Sequence, residues 1–169
     1  AEQPYDLYEM VKQRCQTVSG VLADTMTRDD GWRFVTIGRH LERAQTTCRL
    51  LSVRYRSADE VSFHQWIVAL KSASAAEAFG KAYRGASDPR EVVEFLLLSR
   101  VFPRSVFFCL VAAENQLTDL ARAAESVSRP QRLLGRTRAA LEYSDLDELM
   151  RTDLCGHLDV IEDEVRRVA

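Results

Sequence analysis

Phe34, Ile37, Leu41, Ala44, Cys48, Leu51 and Tyr55 recur at intervals of three and four residues. That spacing lays apolar side chains along one face of an α-helix. Helical periodicity of this kind runs from one end of the chain to the other, and no segment shows the alternation of a half-buried strand. The pattern predicts helices over about 5–26, 30–55, 59–72, 74–84, 89–101, 103–126, 130–142 and 146–167. Several starts are marked by chemistry. Ser57 to Glu60, Asp88 to Glu91, Ser128 to Gln131 and Ser144 to Asp147 each set a short oxygen-bearing side chain three residues before an acid or amide, so that both satisfy free N–H groups of a first turn. Pro89, Pro103 and Pro130 fall near helix starts, and Gly31 and Gly85 fall in joints. With connections this short, the expected fold class is all-α, a multi-helix antiparallel bundle of about seven to eight helices.

A chain of 169 residues, 46% of them hydrophobic, is enough for a single helical domain spanning 1–169 with its own core. Its 23 basic and 25 acidic residues leave a net charge of −2, without the basic stripe that nucleic-acid binding calls for. Nor is there an acidic tail. The longest apolar run, residues 106–113, is far short of the roughly 18 residues of a membrane span. The N-terminus has neither the basic nor the apolar region of a signal peptide, and its lack of an initiator Met points to a processed chain or a piece of a longer one. Cys15, Cys48, Cys109 and Cys155 lie far apart within helical segments. They read as small buried thiols in a reducing cytoplasm.

The segment "GRHLERAQ" concentrates charge on the second helix. At about 100° per residue, Arg39 points away from the apolar seam, with Glu42 and Arg43 to either side. Trp32, Val35, Leu50 and Val53 share that far face and flank the charges, so the helix is expected to be covered on two sides. Arg39 and Arg43 stand one turn apart and repel by a few tenths of a kcal/mol. A carboxylate from elsewhere is therefore expected, and Glu114, inside the apolar stripe Val106–Phe107–Leu110–Ala113–Leu117–Ala121–Ala124, is the candidate. A lone ionised Glu there would cost several kcal/mol unless paired, with Arg39 or Arg43 the simplest partner. Three readings of Arg39, Glu42, Arg43 and Glu114 follow: a buried ion network that sets helix register, a ligand or partner site, or an entirely solvated patch, which the flanking Trp32 and Leu50 argue against. Arg104 and Ser105 fall in the first turn of the sixth helix, where the free N–H groups favour a phosphate or carboxylate; capping of a neighbouring helix by Arg104, or its exposure to water, fits the same position.

Other chemistry lacks its residues. Glu60–His64 and Asp153–His157 are spaced by four rather than the three of a ferritin-like di-metal site. There is no Gly-rich phosphate loop and no nucleophile–base spacing, so nothing calls for a metal, a cofactor or catalysis by this chain alone. A faint likeness between "GRHLERAQ" and "GRTRAALE" is too weak for a repeat.

The segments "RDDGWRFVTIGRHLERAQTTCRLL" (28–51) and "DPREVVEFLLLSRVFPRSVFFCL" (88–110) resemble the bacterial alpha-E family, an all-helical domain named for its Glu-Arg motif, here Glu42-Arg43. The Gly-Trp-Arg-Phe start, the Gly-Arg-x-x-Glu-Arg-Ala core and the Phe-Pro-Arg-Ser segment come in the family's order. The resemblance implies an earlier helical half that this chain lacks, so that part of its surface would be an interface with the missing N-terminal half. It also implies work beside circularly permuted ATP-grasp proteins, in ATP-dependent peptide synthesis or tagging, often near transglutaminase-like proteins. No catalytic residue comes with it; Glu42, Arg43 and Arg104 carry over as motif positions.

Three expectations follow. The first is an accessory domain that binds a peptide or docks the ligase. The second is an enzyme in which Glu42 is the general base and Arg39, Arg43 and Arg104 hold a carboxylate or phosphate. The third is an oligomerising scaffold. A closed, dry cluster favours the first, and an open pocket with convergent arginines the second.

Overall fold

The structure, a computed structural model, describes residues 4–56, 63–83, 88–121 and 127–168. It is all-α, with nine helices among those residues: α1 (Pro4–Thr25), α2 (Asp30–Arg56), α3 (Phe63–Ser72), α4 (Ala76–Ala82), α5 (Pro89–Leu98), α6 (Val106–Leu120), α7 (Arg129–Glu142), α8 (Leu146–Arg151) and α9 (Leu154–Val168). No helix among them is long and apolar enough to cross a membrane.

Helix α2 is the hub. It packs on α6 and α9, while α6 packs on α7 and α7 on α9, closing a four-helix ring. Ile37, Leu41, Ala44, Cys48 and Leu51 of α2 are buried in it, facing Val106, Leu110 and Ala113 of α6 and Leu158, Ile161 and Val165 of α9. Burial of such side chains stabilises by about 1.5–3 kcal/mol each relative to exposure, and these stripes set the ring. Ion pairs trim its rim: Arg33 reaches Asp119 of α6 at 2.9 Å, and Arg49 and Arg56 reach Glu162 and Asp159 of α9 at 2.7 and 2.6 Å.

The caps refine the expected boundaries. Asp88 caps α5 by accepting from the Arg90 N–H, and Ser128 and Gln131 form a reciprocal capping box on α7. Before α8 it is Asp145, not Ser144, that accepts from the first turn; the Ser144 hydroxyl donates to the Leu141 carbonyl instead. The helix expected over 146–167 is two. Asp153 accepts from the Gly156 N–H at 2.8 Å and starts α9 afresh, and a Cβ on Gly156 would lie 2.1 Å from its carboxylate, so a larger residue there would push the capping side chain aside. The sixth helix starts at Val106 rather than at 103, because Ser105 is its N-cap. The cap expected at Ser57–Glu60, residues 59–62 and 84 of the expected third and fourth helices, and residues 122–126 of the sixth with Ala124 lie outside the described residues.

Phe34 departs from the expected seam, with 63% of its surface exposed. The ring closes around α2 only from Ile37 onward. Helix α1 has no extensive packing against any one helix and leaves Tyr5, Leu7, Tyr8, Val11, Val18 and Val21 exposed.

Candidate functional site

Consecutive helical residues are turned by about 100°, and this separates the Glu-Arg pair. Arg43, like Arg39 one turn before it, is half-buried, whereas Glu42 is exposed. Facing them is the turn between α5 and α6, which is fixed from four directions. Phe102 is buried against Phe95, ring centres 4.9 Å apart. Its N–H donates to the Ser99 hydroxyl, and the Ser105 hydroxyl donates to the Ser99 carbonyl while accepting from the Phe108 N–H. From α2, the buried Thr47 hydroxyl donates to the Arg104 carbonyl at 2.9 Å. The main chain of Arg104 is thus locked while its side chain is exposed. The Phe-Pro-Arg-Ser segment is a mount for one arginine, and the end of α6 is already capped by Ser105.

Arg39, Arg43 and Arg104 meet in a cleft under α1. One lobe of about 460 Å³ is lined by them with Lys12, Ser72 and Ser74, among others. A second of about 250 Å³ adds Glu42, Thr46 and Thr47, and a third of about 500 Å³ runs along Cys15, Val18, Leu22 and Val35. Arg43 lines all three. Several arginines elsewhere are paired with acids, Arg33, Arg49, Arg90 and Arg138 among them. Among the described residues no carboxylate forms an ion pair with Arg39, Arg43 or Arg104, and what sets these three apart is that they line one lobe together. The field of the cluster is felt beside it: His40 is lowered to about 4 by burial, then by Arg43 and Arg39, and so stays neutral. The Cys109 thiol is pushed up to about 12 by burial, against the opposing pull of Arg43 and Arg104.

The expected partnership of Glu114 with Arg39 or Arg43 is overturned. Glu114 is held by Arg138 of α7 at 2.7 Å, because this position of α6 faces α7 while Val106, Leu110 and Ala113 fill the contact with α2. Gly135 makes the room: a Cβ there would sit 2.9 Å from the Glu114 Oε1. Arg138 also pairs with Glu142, which reaches Arg100 at 2.8 Å. These groups line a different cavity, between α6 and α7.

The four residues do not form the expected buried ion network either, since Glu42 is exposed and no described carboxylate pairs with Arg39 or Arg43. The second cover over α2 is only partial: Trp32, Val35 and Leu50 are half-buried, whereas Val53 is 60% exposed. Cys48 and Cys109 are buried as expected, but Cys15 is exposed on the cleft and Cys155 half-buried, all four as free thiols. Lys12, Thr47, Ser72 and Ser74 were not singled out from the sequence. Nothing in local spacing marks them, because α1 and the α3–α4 turn reach the cleft only through tertiary packing.

Fold and site together define a class: an all-helical domain built on one hub helix, with a Glu-Arg pair at the mouth of a cationic cleft. Residues 1–169 match the Alpha-E family, described as a predicted alpha-helical domain with a conserved ER motif, and the chain belongs to it. Glu42-Arg43 is the one Glu-Arg dipeptide in its sequence. Uncharacterized proteins of Mycobacterium bovis and Mycobacterium tuberculosis are each 28% identical over 165 residues, which covers 90% of this chain and 18% of theirs. The chain therefore spans less than a fifth of the length of these relatives. No solved structure matches it.

Proposed function

We propose that this domain binds the acidic group of a peptide or peptide-like ligand in the Arg39–Arg43–Arg104 cleft, as an accessory to a circularly permuted ATP-grasp peptide or amide ligase. The observation that carries the reading is that Arg39, Arg43 and Arg104 line one lobe with no described carboxylate paired to any of them. Cations held together without acids are a standing cost that a bound anion removes. In this reading the ligase supplies ATP chemistry, an acyl phosphate attacked by an amine, and the helical domain presents or orients the acidic ligand. Exposed apolar residues along α1 support docking of a further protein segment, such as an N-terminal half or the ligase itself. An ATP-dependent partner goes with a cytoplasmic setting. The test is titration of the chain, alone and with its ligase, against a peptide in free-acid and amidated forms. The free acid should bind at least about ten-fold more tightly, the worth of about one charged hydrogen bond, and the preference should vanish in Arg104→Ala. Equal binding of the two peptides would defeat the reading.

The cleft is open rather than closed and dry, which is the arrangement expected of the catalytic reading, in which Glu42 takes a proton from a nucleophile whose partner is held by the arginines. Its exposure makes the test clean. Glu42→Gln should shift stability by less than about 0.5 kcal/mol, so lost activity of the intact system at an unchanged melting temperature would support catalysis. Full activity would leave Glu42 a bystander.

A further inference from the structure

We infer that the group held in the cleft is a phosphoryl group rather than a carboxylate, and that the hydroxyl of Ser74 is one of its donors. This rests on the acidic-ligand reading above and narrows it. The lobe of about 460 Å³ is lined by Lys12, Arg39, Arg43 and Arg104 and, among the described residues, by no carboxylate. Of the four, Lys12 forms an ion pair, with the half-buried Glu9 at 3.3 Å, while Glu42 lines the adjoining lobes. One carboxylate brings a single charge on two oxygens. A phosphomonoester brings about −1.5 to −2 on three strong acceptors, which matches convergent forked donors better.

Ser74 supplies the second, independent observation. It has a φ of 53°, the left-handed region that disfavours side chains. The turn explains the φ: the Ser74 N–H donates to the Lys71 carbonyl at 2.9 Å and the Ala75 N–H to the Leu70 carbonyl at 2.7 Å. This is the helix ending in which glycine is the usual residue at that position. A serine there gives the turn nothing. Its side chain lines the cationic lobe, and among the described residues its hydroxyl has no hydrogen-bond partner. The neighbouring Ser72 differs, since its proton is committed to the Val68 carbonyl at 2.9 Å. Ala73 and Ala75 on either side are buried, which fixes the backbone that carries the exposed Ser74 side chain at the edge of the lobe. Backbone strain kept at a cleft wall, with a free donor as its product, fits a binding role.

Calorimetric titration of the full chain with phenyl phosphate and with benzoate tests this, at about pH 7.5 where the phosphate is largely dianionic. Phenyl phosphate should bind at least about ten-fold more tightly, and both anions should weaken in Arg104→Ala. Ser74→Gly should raise the melting temperature by about 2–4 °C as the strain is relieved. The same variant should weaken phenyl phosphate about ten-fold through loss of a charged hydrogen bond. A purely structural serine would show the first effect without the second, and that result would overturn its role. Equal affinities that both fall in Arg104→Ala would overturn the phosphoryl assignment while leaving the acidic-ligand reading standing. Binding of neither anion, or binding indifferent to Arg104, would overturn both.

Discussion

Arg43→Met separates a cationic site from a structural network. Three terms set its effect on stability. Methionine and arginine have nearly equal helix propensities, and methionine keeps the apolar stem that fills the half-buried position. Arg39 lies one turn earlier, so loss of the charge removes a repulsion of about 0.2–0.5 kcal/mol. No described carboxylate loses an ion pair. The sum is a protein as stable as the parent or up to about 0.5 kcal/mol more so, with a melting temperature within about 2 °C. A member of a buried ion pair would instead cost about 3–5 kcal/mol, a fall of some 6–20 °C. Circular dichroism melts distinguish the two outcomes. A second readout is independent of stability. Arg43 is the larger of two cationic contributions that hold His40 at about 4, both smaller than burial, so the His40 titration followed by NMR should move up yet stay below 6.5. A fall of more than about 6 °C, or a His40 titration that does not move, would refute the unpaired, convergent cluster.

The pH dependence of folding has a signed expectation. His40 titrates near 4 in the folded protein against an ordinary 6.5, so the unfolded chain binds more protons between those values. Its contribution is full above about pH 6.5 and is lost as pH falls toward 4. Urea midpoints across that window should drop less steeply in His40→Gln than in the parent. Two glycines should respond in opposite directions. Gly156→Ala drives a Cβ to 2.1 Å from Asp153 and disturbs the cap of α9, costing about 1–2 kcal/mol in chemical denaturation. Gly38→Ala meets nothing within 4 Å on an exposed turn of α2 and should stabilise by about 0.5–1 kcal/mol.

What was legible in the sequence was local. The α2 stripe from Ile37 to Leu51 and the Ser128–Gln131 capping box depend on neighbours within one or two turns and form as their spacing dictates, whereas of the Asp88–Glu91 pair it is Asp88 that caps, accepting from the Arg90 N–H. The break between α8 and α9 was missed because its signal, Asp153 three residues before Gly156, was read as an acid–histidine spacing instead. Glu114 shows where local reading stops. Its place in an apolar stripe correctly implied a cationic partner, but which arginine answers depends on the order of helices round the ring. That order is a property of packing, and it presented Arg138 of α7. The candidate site was half visible for the same reason. Arg39, Glu42, Arg43 and Arg104 belong to recognisable segments, whereas Thr47 finds the Arg104 carbonyl across 57 positions, and the φ of Ser74 is written in no motif.

One face of α2 belongs to the ring and the opposite one to the cleft, on a single unbroken rod. Inserting or deleting one residue between Gly38 and Cys48 would swing everything downstream by about 100°, tearing the hydrophobic contacts and the arginines out of register together. Lineages that retune this pocket are thereby confined to exchanging side chains along α2 at constant length. Length variation has to be absorbed elsewhere, in the joints between helices.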